Sequence, residues 1–354
     1  MSMTVDDSEL QEFLGVMETF SRLRVGVIGD LVADSYIYGF PSRLSREAPV
    51  MILRYENEEF FPGGAANTVS NLIALGAEVL VLGLVGEDLA GRRILDHLEE
   101  MGADTSGILC SQAWKTIAKM RFLAGDYHTK KQQVLRVDQE PDRVPDRDEL
   151  LQLEAKVRRE LGNVDAWVVS DYGYRLVSPE IIELMRGEAA RDKVVVADSR
   201  YRVREFTGVT LVTPNEMELF NAYGTEHTGA EGPNDRLVLE AGQRLLADLR
   251  SRAVLVTRGN RGMALFEPSR AVEEIAISGT TDIVDVSGAG DTVVSAVTLA
   301  LAGRSNFLRA ARLANVAAGV KVMKRGTLPV SAGELRTAAC RLAANGARPP
   351  GTEG

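Results

Sequence analysis

Between residues 166 and 259 the chain repeats one short pattern four times. An apolar run of three to five residues ends on a polar cluster. Ala166-Trp167-Val168-Val169-Ser170 runs into Asp171-Tyr172-Gly173, and Val194-Val195-Val196-Ala197 into Asp198. Thr210-Leu211-Val212 runs into Thr213-Pro214-Asn215-Glu216-Met217-Glu218, and Ala253-Val254-Leu255-Val256 into Thr257-Arg258-Gly259. Short continuous apolar runs alternating with helical stretches predict strands of a parallel sheet covered on both faces. In such a sheet the C-terminal ends of the strands share one edge, which is where ligands bind. The same pattern occurs earlier, in Arg24-Val25-Gly26-Val27-Ile28-Gly29-Asp30 and in Val79 to Val85 before Gly86-Glu87-Asp88. Helices are expected over about 147–161 and after Ser178-Pro179, with Ser178 as N-cap and Pro179 at N1. The expected fold class is α/β, with a mostly parallel central sheet between helical layers.

Two segments break this rhythm. Residues 35–61, with Val50 to Tyr55 and Glu59-Phe60-Phe61, and residues 113–137, with Thr116 to Phe122 and Gln133 to Val137, alternate apolar and polar residues without long helices between them. They predict a small, mostly antiparallel sheet inserted into the α/β core, half-buried on a ligand, a partner or both. Residues 1–21 predict a helical extension, with Leu10, Phe13, Leu14, Met17 and Phe20 at helical spacing. The main α/β domain is expected to run from 22 to 344, and a tail over 345–354 is expected to be disordered.

The chemistry concentrates at Asp285-Val286-Ser287-Gly288-Ala289-Gly290-Asp291-Thr292, followed by a long apolar run. Small residues at a helix start let unpaired amides converge on one point, at the positive end of the helix dipole. An anion there would be cradled by Gly288, Ala289 and Gly290, with Asp291 in the first turn beside it. That pairing suits phosphoryl transfer: amides hold developing charge and a carboxylate takes a proton. An ordinary turn with an acidic cap explains the same residues. A second start poor in side chains, Pro62-Gly63-Gly64-Ala65-Ala66-Asn67, opens another helix through about Leu75 and admits a ligand close to its backbone.

A net charge of −9 argues against a nucleic-acid partner. Cys110 and Cys340 lack metal-ligand spacing and are expected as small core residues. His97, His128 and His227 are scattered. The N-terminus, with Asp6, Asp7 and Glu9, is too acidic for a signal peptide, and no apolar run approaches the ~18 residues of a membrane span. A cytoplasmic enzyme is expected.

The two glycine motifs, in this order and at this separation, resemble the ribokinase-like (PfkB) family of sugar kinases, over roughly residues 24–343. The resemblance implies a three-layer αβα sandwich with a β-sheet lid, ATP and Mg²⁺ as cofactors, and a small sugar acceptor. It implies that Asp291 is the general base and that the 288–290 amides form the anion hole. It places Asn215 and Glu218 near Mg²⁺, acting through water, and Thr257, Gly259, Gly262, Ser287 and Asn315 on the nucleotide. Asp30, Asp34, Gly63, Gly64 and Asn67 fall at sugar-side positions, and Asp285 at a position where a monovalent cation such as K⁺ would bind.

Within the family the similarity is greatest to the branch that phosphorylates D-glycero-β-D-manno-heptose 7-phosphate at O1. It is carried by Asp34-Ser35-Tyr36-Ile37-Tyr38-Gly39, Ser42 to Val50, Gln132 to Asp138 and Ser170-Asp171-Tyr172. Many members of that branch are fused to a nucleotidyltransferase domain, so this chain is expected to be the stand-alone kinase. The branch usually has a small residue and Lys-Gly after Ser-Asp-Tyr, and Pro-Lys-Gly after the aspartate matching Asp198. Here Gly173-Tyr174-Arg175 and Ser199-Arg200-Tyr201 stand instead. Arg175 and Arg200 are candidate replacements for those lysines, although an arginine fork differs in geometry from an ammonium. Ser287 stands where threonine is usual. A phosphorylated acceptor needs a basic clamp, for which Arg43, Arg46, Lys130, Lys131 and Arg175 are candidates beside Asp171. Each is also explained as a solvated surface charge. Kinases for ribose, fructose, 2-keto-3-deoxygluconate or a nucleoside remain alternatives, as does a non-catalytic binder of nucleotides or sugar phosphates. The exposed lid edge predicts a homodimer formed by pairing two lids.

Overall fold

The computed structural model describes residues 3–125, 131–224, 235–278 and 283–346. Its strands are β1 (Arg24–Gly29), β2 (Leu31–Leu44), β3 (Met51–Gly64), β4 (Glu78–Gly86), β5 (Asp104–Ser111), β6 (Ile117–Ala124), β7 (Gln132–Gln139), β8 (Ala166–Asp171), β9 (Val194–Ser199), β10 (Leu211–Val212), β11 (Ala253–Thr257), β12 (Met263–Phe266) and β13 (Glu273–Ile275). Its helices are α1 (Asp7–Met17), α2 (Ala65–Ala74), α3 (Leu89–Glu100), α4 (Arg147–Glu160), α5 (Pro179–Ala190), α6 (Glu216–Asn221), α7 (Asp235–Leu249), α8 (Ala289–Ala302), α9 (Phe307–Lys321) and α10 (Ala332–Gly346).

Nine strands form the central sheet, in the order β13-β12-β11-β10-β9-β8-β1-β4-β5. From β11 to β5 the neighbours pair in parallel, and β12 and β13 add an antiparallel edge. Side chains alternate between two separate cores. Val25, Val27, Val81, Val168 and Leu255 pack with α1, α2, α3, α8, α9 and α10. Ile28, Leu82, Trp167, Val169 and Val254 pack with α4, α5, α6 and α7. This is the expected three-layer αβα arrangement. Strand order reverses on either side of β1, so the crevice beyond the β1 and β8 C-termini is the topological switch point.

The lid is a second sheet in the order β3-β2-β6-β7, with β2–β3 and β6–β7 antiparallel and β2–β6 parallel. It grows out of the core: β2 is buried from Leu31 to Tyr36 and exposed from Pro41 onward. Bulges at Tyr38/Gly39 and Pro41/Arg43 break the β2–β3 register where the ribbon leaves the body.

Sequence and structure differ at several points. The edge strand β5 was hidden by its polar first half, Asp104-Thr105-Ser106-Gly107, the short β12 by the glycine-containing turn before it, and β13 by its length of three residues. Cys110 and Cys340 are exposed rather than in the core, the first on the edge strand β5 and the second on the outer face of α10. The N-terminal extension is built into the main core, which buries Met3, Val5, Phe13, Met17 and Phe20. Residues 345 and 346 close α10, whereas the rest of the expected disordered tail, 347–354, lies outside the described residues, as does Lys130. No described helix is long and apolar enough to cross a membrane.

Candidate active site

α8 begins at the crevice because Gly288 adopts φ +75°, which lets the chain turn into the helix. A Cβ at this position would stand 2.5 Å from Asn67 Nδ2. At Gly290 a Cβ would meet nothing within 4 Å, so the first turn of α8 faces open space. Asp291, one residue further on, is 6% exposed and points back into the protein. Three side chains donate to its carboxylate: Asn67 Nδ2 at 2.5 Å, Thr68 Oγ1 at 3.2 Å and the Tyr172 hydroxyl at 3.2 Å. Burial drives its pKa up to about 6, against the pull of the Asn67, Tyr172 and Thr68 hydrogen bonds, with Asp34 adding to the rise. A fixed carboxylate titrating just below neutrality is equipped to take a proton.

α2 supplies the opposite side. Gly64 turns into it with φ +57°, and a Cβ there would meet the Asp30 carbonyl at 2.5 Å. A Cβ on Gly63 would reach Asp34 Oδ2 at 2.7 Å. Asp34 accepts from Arg121 Nη1 at 2.7 Å. Asp30 is directed instead at the chain after β8: its Oδ2 accepts from the backbone of Tyr172 at 2.8 Å and of Tyr174 at 3.4 Å. Burial and the nearby Asp171 raise its pKa to about 7. Asp171 is bound to Arg202 Nη2 at 2.7 Å and to the Ser199 hydroxyl at 2.6 Å, a buried ion pair that fixes the β8 and β9 ends.

Two cavities meet at Thr257, Val286 and Gly290. One, of about 300 Å³, is walled by apolar groups such as Ile277, Ile283, Val293 and Val322, with Gly259, Gly262, Ala289 and Asn315. The Asn315 amide donates to the Ala276 carbonyl at 2.6 Å. The other, of about 760 Å³, is mixed in polarity and holds Asp198, Arg200, Thr213, Asn215, Glu218, Gly288 and Asp291. Asn215 and Glu218 form a reciprocal capping box on α6, each side chain accepting from the other's backbone N–H at 2.9 Å. Burial raises the Asp198 and Glu218 carboxyls above their ordinary range; Glu218 and Asp291 add repulsion at Asp198, and at Glu218 Asp291 adds it while the Asn215 hydrogen bonds and Arg200 oppose. An apolar slot opening into a chamber lined by carboxylates and Arg200 fits a nucleotide, and the desolvated Asp198 and Glu218 carboxyls would suit its Mg²⁺. Among the described residues no group of three or more His, Cys, Asp and Glu could hold a metal on its own.

A third cavity, of about 290 Å³, opens between lid and body. Lys119, Arg136 and Arg200 line it with Tyr172, Tyr174 and Tyr201. Arg136 is neutralised by Asp138, but neither Lys119 nor Arg200 has an ion-pair partner among the described residues. Burial and the neighbouring arginines lower the Lys119 pKa, with Asp34 opposing. The clamp candidates from the sequence lie elsewhere. Arg43 and Arg46 are exposed at the far end of the lid ribbon. Lys131 is paired with Glu56 and stacked near Tyr38 and Phe40. Arg175 is exposed on a φ +67° turn outside the lining of the three cavities. Thr68 and Tyr172 were not singled out from the sequence. Thr68 offered only its adjacency to Asn67, whereas Tyr172 stood in the Ser170-Asp171-Tyr172 motif without a role assigned to it.

Residues 24–332 match the model of the pfkB family of carbohydrate kinases. The chain belongs to that family. Its enzyme class is ATP-dependent carbohydrate kinase. The chain is 38% identical over 331 residues to the bifunctional protein HldE of Azorhizobium caulinodans, covering 92% of this chain and 66% of that protein. It therefore spans just under two thirds of the length of that relative. Phosphofructokinase-2 from Escherichia coli in complex with potassium superposes with a TM-score of 0.72 at 19% identity, over 91% of this chain and 99% of that one. Arabidopsis thaliana ribokinase complexed with ribose and ATP gives 0.68 at 18%, over 91% and 98%. At these identities the two structures report the fold alone.

Proposed function

We propose that this kinase phosphorylates a sugar that already carries a phosphate, D-glycero-β-D-manno-heptose 7-phosphate, at O1 to give the 1,7-bisphosphate. The observation that carries this reading is the third cavity, where two cations without ion-pair partners, Lys119 and Arg200, face a space bounded by Tyr172, which also donates to Asp291. A dianionic phosphate held there would balance both charges. The branch motifs and the likeness to HldE support the heptose. The clamp thus shifts from Arg43, Arg46, Lys131 and Arg175 to Lys119 and Arg200.

Asp291 takes the proton from the attacking hydroxyl, oriented by Asn67, Thr68 and Tyr172. The Gly288, Ala289 and Gly290 amides hold the oxygens of the transferring group at the positive end of α8. When bound, MgATP would supply the phosphoryl group, and its ion a counter-charge for a loose transition state. Asn215 and Glu218 would hold that ion. Thr257, Gly259, Gly262, Ser287 and Asn315 seat the nucleotide, while Asp34, Gly63, Gly64 and Asn67 border the sugar. Asp30 and Asp171 act indirectly, by fixing the 171–174 loop. Lid closure excludes water as a competing acceptor. The outer half of the lid exposes Leu44, Met51, Tyr55, Val134 and Val137, which supports a homodimer through the lid.

The test is ADP release with MgATP over a panel of sugars and sugar phosphates. Selective turnover of the heptose 7-phosphate is expected. Turnover of ribose, fructose or 2-keto-3-deoxygluconate in its place would refute the acceptor and leave the mechanism standing. Nucleotide binding without turnover of any acceptor would refute the catalytic reading.

A further inference from the structure

The family resemblance raises Asp285 as a ligand for a monovalent cation, but the residues around it do not fit that role. Lys321, at the end of α9, is 0% exposed, and its ammonium donates to the Gly326 carbonyl at 2.8 Å. Gly326 donates its own N–H to Asp285 Oδ2 at 2.9 Å, and Ser287 N–H donates to Asp285 Oδ1 at 2.8 Å. The same corner is tied from behind, where the Val284 and Asp285 amides both donate to the Val322 carbonyl, at 2.9 and 3.1 Å. The Lys321 ammonium already occupies the Gly326 carbonyl that an ion would need; burial lowers its pKa, and the nearby Asp285 opposes that shift. A second cation on the Gly326 carbonyl would meet like-charge repulsion in a water-poor corner.

Asp285 precedes the anion-binding turn by three residues. Burial alone would raise its pKa, yet the Ser287 and Gly326 hydrogen bonds and the charge of Lys321 outweigh burial and keep it low. An ionised, unbalanced carboxylate at that distance would repel the phosphoryl group that α8 attracts. The neighbouring Lys324 is committed elsewhere, to the Pro329 carbonyl at 2.6 Å and to Glu334.

We propose that the Lys321 ammonium replaces a monovalent cation at this corner: it balances Asp285, ties the 322–326 turn to the anion-binding turn, and makes nucleotide binding and turnover independent of K⁺. Lys321 is a positioning residue, since it reaches the reaction through Asp285 and Gly326. The proposal rests on the kinase reading above.

The experiment measures binding of ATP with Mg²⁺, thermal midpoint and turnover in potassium, sodium and choline chloride at one ionic strength. For the wild type all three readings should agree across the salts, with rates within about 2-fold. Lys321→Met, similar in volume but uncharged, should lose at least ~10-fold in kcat in choline, less than the ~10²–10³-fold worth of an anion-hole donor itself. Potassium or ammonium should restore much of it, and a purely structural lysine gives no such cation-selective rescue. A several-fold K⁺ activation of the wild type, or a variant as active in choline as the wild type, overturns the proposal. If the variant does not fold, a K⁺-specific rise in the wild-type thermal midpoint or ATP affinity overturns it, and equal values uphold it. If no acceptor turns over, the kinase reading fails by itself, while the salt series on ATP binding still decides the role of Lys321.

Discussion

The two walls of the cleft are built to different standards. On the body side, Asp291 is 6% exposed and takes three hydrogen bonds from side chains on α2 and the β8 end. Asp171, Arg202 and Ser199 lock that β8 end in place. On the lid side, Lys119 is half-buried, Arg136 is exposed, and all of β7 except its last residue lies open to solvent. The difference follows from the tasks. A base and an anion hole gain from being fixed before the substrate arrives. A clamp that must admit and release a charged substrate cannot be buried with its charges unpaired.

The sharpest way to break this contrast is Asp291→Asn, which keeps the shape and removes the base. The expected loss is ~10²–10⁴-fold in kcat by ADP release, with nucleotide binding retained. Because burial already disfavours the ionised form, the variant should melt no lower than the wild type at pH 8. Next comes the support of the rigid wall. Arg202→Ala strands the buried Asp171 carboxylate and should cost ~3–5 kcal/mol in urea unfolding. A variant as stable as the wild type would mean that this wall is not held by the ion pair.

On the other wall, Lys119→Met should raise KM for a phosphorylated acceptor ~10–100-fold, the worth of a lost charge-assisted hydrogen bond, and leave KM for ATP unchanged. Equal effects on both would dissolve the distinction between clamp and nucleotide site. pH then probes the body wall by itself. The base must be ionised, so kcat/KM should fall as pH drops through about 6, the raised pKa of Asp291. Asp30, raised to about 7, behaves in the opposite sense for stability. Its folded form holds a proton that the unfolded chain has released, so its contribution is present at about pH 4 and lost as pH rises through 7. Asp30→Asn should therefore raise the melting temperature at pH 8 and not at pH 4. The smallest effect belongs to Arg43→Ala with Arg46→Ala, expected to stay within about 2-fold in every kinetic constant because both charges are solvated.

Much of this was legible in the chain. The apolar runs gave the parallel strands and the polar residues at their ends, and Ser178 gave a true cap, its hydroxyl accepting from Ile181 N–H at 3.2 Å. The loss of helical rhythm gave the lid. The partners of each charge were not legible. Arg258 follows a strand end just as Asp171 does, yet it is enclosed by Glu216, Asp235 and Glu274, while Arg200 is left without an ion pair among the described residues. Asn215 and Glu218 read as a ligand motif, and the fold also uses them to cap a helix.

Sequence by itself determined periodicity, capping and the glycines that free a backbone, because these act over a few residues. Tertiary structure alone decided which carboxylate is buried, which cation is left unpaired and which lysine fills a cation's place. Asn67 reaches Asp291 across 224 residues, and Lys321 sits in a helix whose local pattern gives no sign of Asp285. Charge pairing depends on distance and on the exclusion of water, and both exist only once the chain has folded.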